Sequence, residues 1–266
     1  MKVYIISDME GTAGVSIWDQ VQPSHPKYAQ TQKWMTQEIN AAADGAFTAG
    51  ANLVLVHDTH MSEHNLDVDI LDPRVEYIMG GGISSWAQLD DSFDMCFLIG
   101  AHSKAGTPNG NLRHTWNANQ MVDLRINGIS VGEIGLLAAG AGELGVPCTL
   151  ITGDDKACLE AAELIPQIVS AIVKTGLDWQ SARLIHPHAA QRLIFEKSKE
   201  ACSPSTKIKP LLLPAKPVIV EAVQLKDPQG PYDASSLEMK QLLSRPQRTS
   251  KGTGENIPTA FNNALV

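Results

Sequence analysis

The chain opens with Lys2-Val-Tyr-Ile-Ile6 and runs directly into Ser7-Asp8-Met9-Glu10-Gly11. The first five residues are typical of a buried strand, and Gly11 permits a sharp turn after it. Because alternate side chains of a strand share a face, we expect Asp8 and Glu10 to point the same way. A strand that ends in such residues is typical of an open α/β sheet, where ligands bind beyond the carboxyl ends of the strands. Two adjacent carboxylates repel each other unless a cation lies between them, so the stretch predicts a metal-binding corner or an exposed acidic turn.

The composition indicates one large or two modest globular domains and argues against several classes of function. The chain has 266 residues, of which 43% are hydrophobic, and its net charge is −8. An apolar fraction of this size can form a substantial core. The basic residues are scattered, so we expect no nucleic-acid partner. Since no apolar run approaches about 18 residues, we expect no membrane partner either.

The four cysteines have the spacing of neither a zinc finger nor a redox pair. Cys96 and Cys148 lie in apolar, strand-like runs, where a cysteine usually serves as a small buried hydrophobic residue. No signal-like segment precedes the strand that begins at Lys2. These features predict a cytoplasmic protein with reduced cysteines.

Apolar runs alternate with helical patterns along much of the chain and predict an α/β fold. Strands without polar alternation, the mark of burial on both faces of a parallel sheet, are predicted at 52–56, 95–99 and 148–151. Helices are predicted at 28–49, 133–144, 155–173 and 187–199. Asn127-Gly128 predicts a hairpin between 121–126 and 129–131. We therefore expect a mostly parallel sheet with helices on both faces, a β-hairpin insertion and a C-terminal extension.

The chain is expected to divide near residue 200. Residues 1–200 would form the α/β metal-binding catalytic domain, and 201–266 a connector and a C-terminal region of uncertain order. The connector, 203–216, carries Pro204, Pro210 and Pro214, and a strand is predicted at 218–222. Beyond about residue 224 the polar composition predicts only one short helix, near 236–244.

Polar residues at three strand ends and one helix start predict a metal site. Asp8 and Glu10 follow the first strand, His60 and His102 follow two later strands, and Glu133 opens the helix after the hairpin. The carboxyl ends of parallel strands meet at one edge of the sheet, where a crevice forms. Carboxylates and imidazoles without thiolates suit zinc, manganese or iron in a hydrolytic site. So many donors exceed the needs of one tetrahedral zinc and suit two metals that share a bridging carboxylate.

Each of these residues also has a simpler interpretation. A loop histidine such as His60 or His102 is most often a surface residue, and Glu133 could be a first-turn acid that complements the helix dipole. His114, in the long loop after the His102 strand, is equally well a surface histidine or a catalytic one. In the catalytic role it would act as general base, then general acid, or as a nucleophile.

Other polar residues near the strand ends receive supporting or structural interpretations. Asp58 is expected to orient a ligand histidine through a hydrogen bond, and His57 is a weaker ligand candidate than His60. Asp154 is interpreted as the N-cap of a helix. His186 and His188, which have no acidic neighbours, are interpreted as surface residues.

Five separated motifs together resemble the D-aminopeptidases, which are bacterial zinc peptidases associated with dipeptide transport. The resemblance covers about residues 1–223, and the motifs occur in the family's order and approximate spacing. They are Ser7-Asp8-Met9-Glu10-Gly11, His57-Asp58-Thr59-His60, Gly100-Ala101-His102, Arg113-His114-Thr115 and Val131-Gly132-Glu133-Ile134-Gly135.

This resemblance implies a site, a reaction and an assembly. Asp8 would bridge two Zn²⁺ ions in each subunit, and His114 would be the catalytic residue. The implied reaction releases an N-terminal D-amino acid, such as D-alanine, from short peptides. The implied assembly is a homo-oligomeric ring, which is a decamer in the family. The implied metal ligands are Asp8, Glu10, His60, His102 and Glu133.

The chain departs from the family pattern at two places. The loop between His102 and His114 carries one extra residue. The region after about residue 224 does not resemble the strand and C-terminal helix that the family pattern places there.

Two alternatives to a peptidase remain open. A phosphoesterase or an amidohydrolase would keep the metals and change the substrate. Phosphate sites usually add cationic clamps or a helix N-terminus, and only Lys104, Arg113 and Arg125 lie near the motifs. A metal-binding paralogue without activity is the third hypothesis.

Overall fold

The computed structural model describes residues 1–82, 84–205, 207–213 and 215–265. Pro214 of the predicted connector lies outside these ranges. The elements in chain order are β1 (Lys2–Ser7), α1 (Tyr28–Thr48), β2 (Leu53–Asp58), β3 (Glu76–Ile78), β4 (Met95–Ala101), β5 (Met121–Ile126), β6 (Ile129–Val131), α2 (Glu133–Glu143), β7 (Cys148–Asp154), α3 (Asp155–Leu164), β8 (Val169–Asp178), β9 (Ser181–Leu184), α4 (Pro187–Ala201), β10 (Val218–Leu225), α5 (Asp233–Ser236), α6 (Met239–Leu243), β11 (Gln247–Gly254) and α7 (Ile257–Leu265).

The main sheet has seven strands in the order β3-β2-β1-β4-β7-β8-β9. All neighbours pair in parallel except β8 and β9, which form an antiparallel edge. Because β1, β2 and β4 are adjacent and parallel, their carboxyl ends open at the same edge. The predicted α/β fold class, with a mostly parallel sheet and helices on both faces, is confirmed.

Strand β1 contributes to two cores, one on each face of the main sheet. Val3 and Ile5 point into a core formed with α1 and α4, which pack against each other. Tyr4 and Ile6 point into the other core, which α2, α7 and the second sheet complete. This alternation follows from the period of two along a strand. Burial on both faces explains why β1 reads as a nearly continuous apolar run.

The predicted hairpin is present and belongs to a second, four-stranded antiparallel sheet. Its order is β11-β10-β5-β6, and Asn127 and Gly128 adopt positive φ angles of 50° and 82° at the turn. Strand β10 pairs with β5 from within the first 200 residues. The proposed division near residue 200 therefore separates two neighbouring strands of one sheet.

The expectation of a C-terminal region with one short helix is wrong. Residues Gln247–Gly254 form β11, which pairs with β10 along its whole length. Helix α7 follows, and its Ile257 and Phe261 are buried in the core beside α2. Strand β11 is an edge strand whose residues, apart from Gly252, are exposed or half-buried. It therefore shows no apolar alternation, and the sequence pattern could not reveal it.

The predicted helix at 155–173 is also wrong in its second half. Helix α3 ends at Leu164, and β8 begins at Val169. Pro166 explains the break, since proline cannot continue a helix interior. The apolar residues beyond it, including Val169, Ala171 and Val173, lie in the parallel sheet. Helices α1, α2 and α4 match their predicted bounds within about two residues.

None of the helices within the described ranges has the length and apolarity needed to span a membrane.

Candidate metal centre

The ends of β1 and β4 press together and place two motifs side by side. The amide of Asp8 donates to the carbonyl of Ile99 at 2.8 Å, and the amide of Gly11 donates to that of Gly100 at 2.7 Å. Gly100 has a φ of +74°, and a Cβ there would lie 2.1 Å from the carbonyl oxygen of Asp8. Only glycine fits this contact, which brings the residue after β1 close to His102 after β4.

Asp8, Glu10 and His60 form a first cluster, whose ligand-type atoms lie within 4.8 Å of one another. His60 Nδ1 is 3.0 Å from Asp8 Oδ1 and 3.0 Å from Glu10 Oε2. The side chains of His60 and Glu10 are 2% exposed, whereas that of Asp8 is 20% exposed and faces the crevice. Asp8 and Glu10 thus converge on one imidazole, as expected from their spacing.

His102, Glu133 and His114 form a second cluster, again within 4.8 Å. His102 Nε2 is 3.4 Å from Glu133 Oε1, and His114 Nε2 is 3.8 Å from the same oxygen. The rings of His102 and His114 are stacked, with centroids 3.9 Å apart. The sequence grouped His102 and Glu133 as ligands and set His114 apart. The structure brings all three together.

Asp8 connects the two clusters. Its Oδ1 faces His60 Nδ1, and its Oδ2 lies 3.3 Å from His102 Nε2. A carboxylate with one oxygen toward each cluster has the arrangement that a bridging ligand requires. The five residues named as ligands from the sequence therefore lie around one carboxylate at the edge of the main sheet.

A backbone carbonyl fixes the ring of each histidine in the site. The pairs are His60 Nε2 with Val21 O at 3.1 Å, His102 Nδ1 with Ser103 O at 3.1 Å and His114 Nδ1 with Leu112 O at 2.9 Å. A carbonyl can only accept, so each of these nitrogens carries a hydrogen. In the neutral ring the other nitrogen then presents its lone pair to the carboxylates. Metal-binding histidines are typically held in this way.

The carboxylates of the site favour the binding of a positive charge, either a proton or a metal ion. Burial alone would lower the pKa of His60, but Glu10 and Asp8 outweigh it and raise that pKa well above its usual value. The same balance, with Glu133 the largest favourable contribution, raises the pKa of His102 to about 10. Burial by itself would raise the pKa of Asp8, but the hydrogen bond from His60 and the charge of His102 outweigh it and hold that pKa well below its usual value.

The donor set fits divalent metal ions. Glu10 Oε2 is buried and accepts no hydrogen bond of normal geometry from the described residues. A neutral imidazole would turn a lone pair toward Asp8 and Glu10, and that contact is unfavourable without a cation. A metal ion can replace the proton that His60 would otherwise bind. Carboxylate oxygens and imidazole nitrogens around a partly open crevice suit zinc.

A cavity of about 420 Å³ opens onto both clusters. Its walls include the aromatic residues Trp18, Trp116 and Tyr232, and its polar rim includes Asn117 and Asn119. None of the described lining residues is a lysine or an arginine. The cavity is thus acidic at its base and aromatic along its walls, and it can accommodate a small ligand with a cationic group.

Sequence reasoning missed the aromatic residues that line the cavity. The ring of Trp18 meets that of His114 edge to face at 5.0 Å, and Tyr232 packs on Trp18 at 4.6 Å. The amide of Trp116 donates to Glu133 Oε1 at 2.7 Å. Trp18 begins a short 3₁₀ helix (Trp18–Val21) and Trp116 lies in a loop, and a large aromatic residue in such a connecting segment is a usable signal. Tyr232 is distant in sequence, and nothing local marks it.

The three cations near the motifs are bonded away from the cavity. The guanidinium of Arg113 is buried and donates to the carbonyls of Gly110 and Ser236. Lys104 Nζ donates to Ser130 Oγ at 2.9 Å. Arg125 Nε donates to Asp123 at 2.7 Å.

Asp58 supports the loop of His60 and does not hold its ring. Its Oδ1 accepts the backbone amide of His60 at 3.3 Å, and its two oxygens also accept from Asn65. Asp58 thus holds the ligand histidine through its backbone, while the carbonyl of Val21 orients the imidazole ring. His57 is buried, with Nδ1 3.0 Å from the hydroxyl of Tyr4, and belongs to neither cluster.

Asp154 and the late histidines behave as predicted. Asp154 caps α3 by accepting the amide of Ala157 at 2.8 Å. His186 and His188 are exposed at the start of α4.

Fold and site together define an α/β protein with a candidate metal centre at the carboxyl edge of its main sheet. The chain belongs to the D-aminopeptidase family: the family model described as Peptidase_M55, D-aminopeptidase, matches residues 1–263. A D-aminopeptidase of Bacillus subtilis (strain 168) is 36% identical over 221 residues, which are 82% of this chain and 80% of that protein. The chain is therefore a hydrolase of the peptidase class.

A solved structure has the same fold over the whole chain. It is described as Zn-dependent D-aminopeptidase DppA from Bacillus subtilis, a self-compartmentalizing protease. The TM-score is 0.86 at 29% identity, and the match covers 100% of this chain and 96% of that one. The family predicted from the five motifs is confirmed. The departure inferred after residue 224 is corrected, since the family model continues to residue 263.

Proposed function

We propose that this protein is a zinc-dependent aminopeptidase that releases N-terminal D-amino acids, such as D-alanine, from short peptides. The observation that carries the proposal is the pair of three-residue clusters joined through Asp8, at the sheet edge of a D-aminopeptidase fold. One ion would be held by Asp8, Glu10 and His60. A second would be held by Asp8, His102 and Glu133.

Bound zinc ions would supply Lewis-acid polarisation of the scissile carbonyl and would acidify a water molecule at neutral pH. The chain's own residues then provide orientation and proton transfer. Carbonyl contacts fix the rings of His60 and His102, so their free nitrogens need no reorganisation before the reaction. A peptide bound between the aromatic walls would displace water from the reacting groups.

The position of His114 supports a role in proton transfer. Its Nδ1 donates to the carbonyl of Leu112, so Nε2 faces the site with a free lone pair. From there Nε2 could accept a proton from the attacking group and return it to the leaving amine. It could also attack the carbonyl itself. Its position beside His102 and Glu133 also permits a third role, as a metal ligand.

The cavity favours a peptide over a phosphoester. Sites for phosphoryl groups use arginine, lysine or a helix N-terminus to neutralise the phosphate. The described lining residues include no lysine or arginine, and Lys104, Arg113 and Arg125 are bonded elsewhere.

Assembly and location are part of the proposal. We propose a ring-shaped homo-oligomer, a decamer as the family resemblance implies. The description of the solved relative as self-compartmentalizing supports an assembly of several subunits. A cytoplasmic location is proposed because all four cysteines are buried and free. Size-exclusion chromatography with light scattering measures the assembly, and a monomer would contradict it.

The deciding experiment combines metal analysis with substrate comparison. We expect the purified protein to contain two zinc ions per chain and to release D-alanine from D-Ala-D-Ala. Cleavage of L-Ala-L-Ala and of p-nitrophenyl phosphate should be at least about a hundredfold slower. A protein that binds zinc and cleaves only the phosphoester would overturn the proposal, and one that cleaves nothing would support the inactive paralogue.

A further inference from the structure

Glu160 on α3 joins two segments of the site without belonging to either cluster. Its Oε2 accepts the backbone amide of Lys104 at 2.8 Å, and its Oε1 accepts the backbone amide of Gly132 at 3.2 Å. One side chain thus connects the segment after β4 with the segment that precedes α2. The two amides are 28 residues apart in sequence, and no other side chain hydrogen-bonds to both of them within the described residues.

The Lys104 side of this contact leads to His102 and His114. Lys104 follows His102 by two residues, with Ser103 between them. The carbonyl of Ser103 accepts from His102 Nδ1 at 3.1 Å and from the amide of His114 at 3.1 Å. A shift of Lys104 would therefore move the carbonyl that orients one histidine and anchors the other.

The Gly132 side of the contact leads to Glu133. Gly132 is the N-cap of α2, and glycine has no side chain with which to cap the helix. Glu160, on another helix, accepts the backbone amide of this N-cap residue, as a glutamate at N3 does in a capping box, and an anion at this position also complements the helix dipole. The next residue, Glu133, is the carboxylate shared by His102 and His114. All three residues of the second cluster are thus connected to Glu160, directly through the chain or through one carbonyl.

The contact requires a carboxylate at this position. Two N–H groups point at two oxygens, and both oxygens of a carboxylate can accept. Glutamine would turn an NH₂ group toward one of the two amides. Gly132 leaves no spare room, since a Cβ there would lie 2.5 Å from Glu160 Oε1. Burial raises the pKa of Glu160 to about 7, against the effect of both backbone hydrogen bonds and Lys104, so the carboxylate form predominates at pH 8.

We propose that Glu160 is a positioning residue that sets the geometry of the second cluster and thereby the affinity of one of the two metal ions. The inference rests on the proposed function, since it presumes two bound zinc ions. The first cluster has no hydrogen bond to Glu160. It is supported instead by Val21 and Asp58, so its affinity should be independent of this contact.

The test is a titration of the metal-free full-length protein with zinc at pH 8, in which calorimetry measures the affinity of each binding event. We expect two binding events in the wild type. In Glu160→Gln the zinc affinity of one binding event should fall by at least about tenfold, while the affinity of the other should stay within about twofold of the wild-type value. A role limited to general stability would lower the unfolding temperature and weaken both events alike.

Glu38→Gln is the matched control. Glu38 is also a buried carboxylate that accepts a backbone amide, that of Ala13 at 2.8 Å, but its Oε2 has no partner among the described residues. Glutamine can keep that single hydrogen bond, so both zinc affinities should stay near the wild-type values.

Gly132→Ala provides a second route if Glu160→Gln does not fold. Its Cβ would push against Glu160 Oε1 and against Lys104 Cβ, 2.7 Å away, and should cause the same selective loss. Unchanged affinities in both variants, or equal losses at both ions, would overturn the role of Glu160 and leave the peptidase proposal intact. A wild type that binds no zinc and leaves D-Ala-D-Ala intact would overturn the proposed function itself.

Discussion

The imidazole rings of His102 and His114 lie face to face, with centroids 3.9 Å apart and planes inclined by 12°. Two stacked rings at this distance disfavour simultaneous protonation. Burial, and then the charge of His102, lowers the pKa of His114 from its usual value. His114 is thus the neutral member of the pair, with its free nitrogen toward Glu133.

Replacing His114 separates catalysis from metal binding. In His114→Ala we expect turnover of D-Ala-D-Ala to fall by about 10²- to 10⁴-fold, the usual contribution of a positioned acid–base group. Zinc content should stay at two per chain, because the five proposed ligands are untouched. Steady-state kinetics and metal analysis on one preparation measure both quantities. Full activity would refute the catalytic role, and loss of one zinc would identify His114 as a ligand.

The bridging position of Asp8 predicts unequal effects of the two neighbouring carboxylates. Asp8→Asn should lower the affinity for both ions, since each oxygen of Asp8 faces a different cluster. Glu10→Gln should weaken one ion only, because Glu10 belongs to the first cluster and not to the second. Zinc titration of the metal-free variants distinguishes the two patterns. Equal behaviour of the two variants would argue against a bridging Asp8.

The close approach of β1 and β4 predicts a large stability difference between two glycine substitutions. Gly100 and Gly50 have φ angles of +74° and +99°, but only at Gly100 would a Cβ strike backbone, 2.1 Å from Asp8 O. At Gly50 there is nothing within 4 Å. Gly50→Ala should cost about 1 kcal/mol of unfolding free energy, and Gly100→Ala at least about 3 kcal/mol. Urea unfolding measures both, and similar costs would contradict the steric argument.

Glu38 predicts a pH dependence of stability. Burial raises its pKa from 4.5 to about 7, against the hydrogen bond from Ala13 and the charge of Lys174. A carboxyl group whose pKa is raised in the folded state stabilises the fold below about pH 4.5. That contribution is lost as the pH rises to about 7.

The wild type should therefore lose stability relative to Glu38→Gln between pH 4.5 and 7, by an amount on the order of 3 kcal/mol. Urea unfolding of both proteins in the presence of a chelator measures this difference without a contribution from metal binding. Parallel pH profiles of the two proteins would show that the carboxyl group titrates normally in the fold.

The sequence was most informative where a pattern of residues arises within a single strand or helix. The unbroken apolar runs of β1, β2 and β4 predicted buried parallel strands, and the polar residues after them predicted ligands at one sheet edge. The break after α3 was also encoded locally, in Pro166, although the apolar residues that follow were read as helix. Strand β11 had no local signal, because an exposed edge strand is defined by the strand it pairs with.

The amino-acid sequence by itself determined the fold class, the family and the set of residues around Asp8, since these depend on periodicity and on motifs contiguous in the chain. Only the tertiary structure decided that His114 stacks on His102, that carbonyls orient the histidines and that Tyr232 lines the cavity. It also decided that Glu160 joins two segments of the site. Several of these contacts link residues far apart in sequence, and the geometry of all of them depends on how strands and helices pack, which no local pattern records.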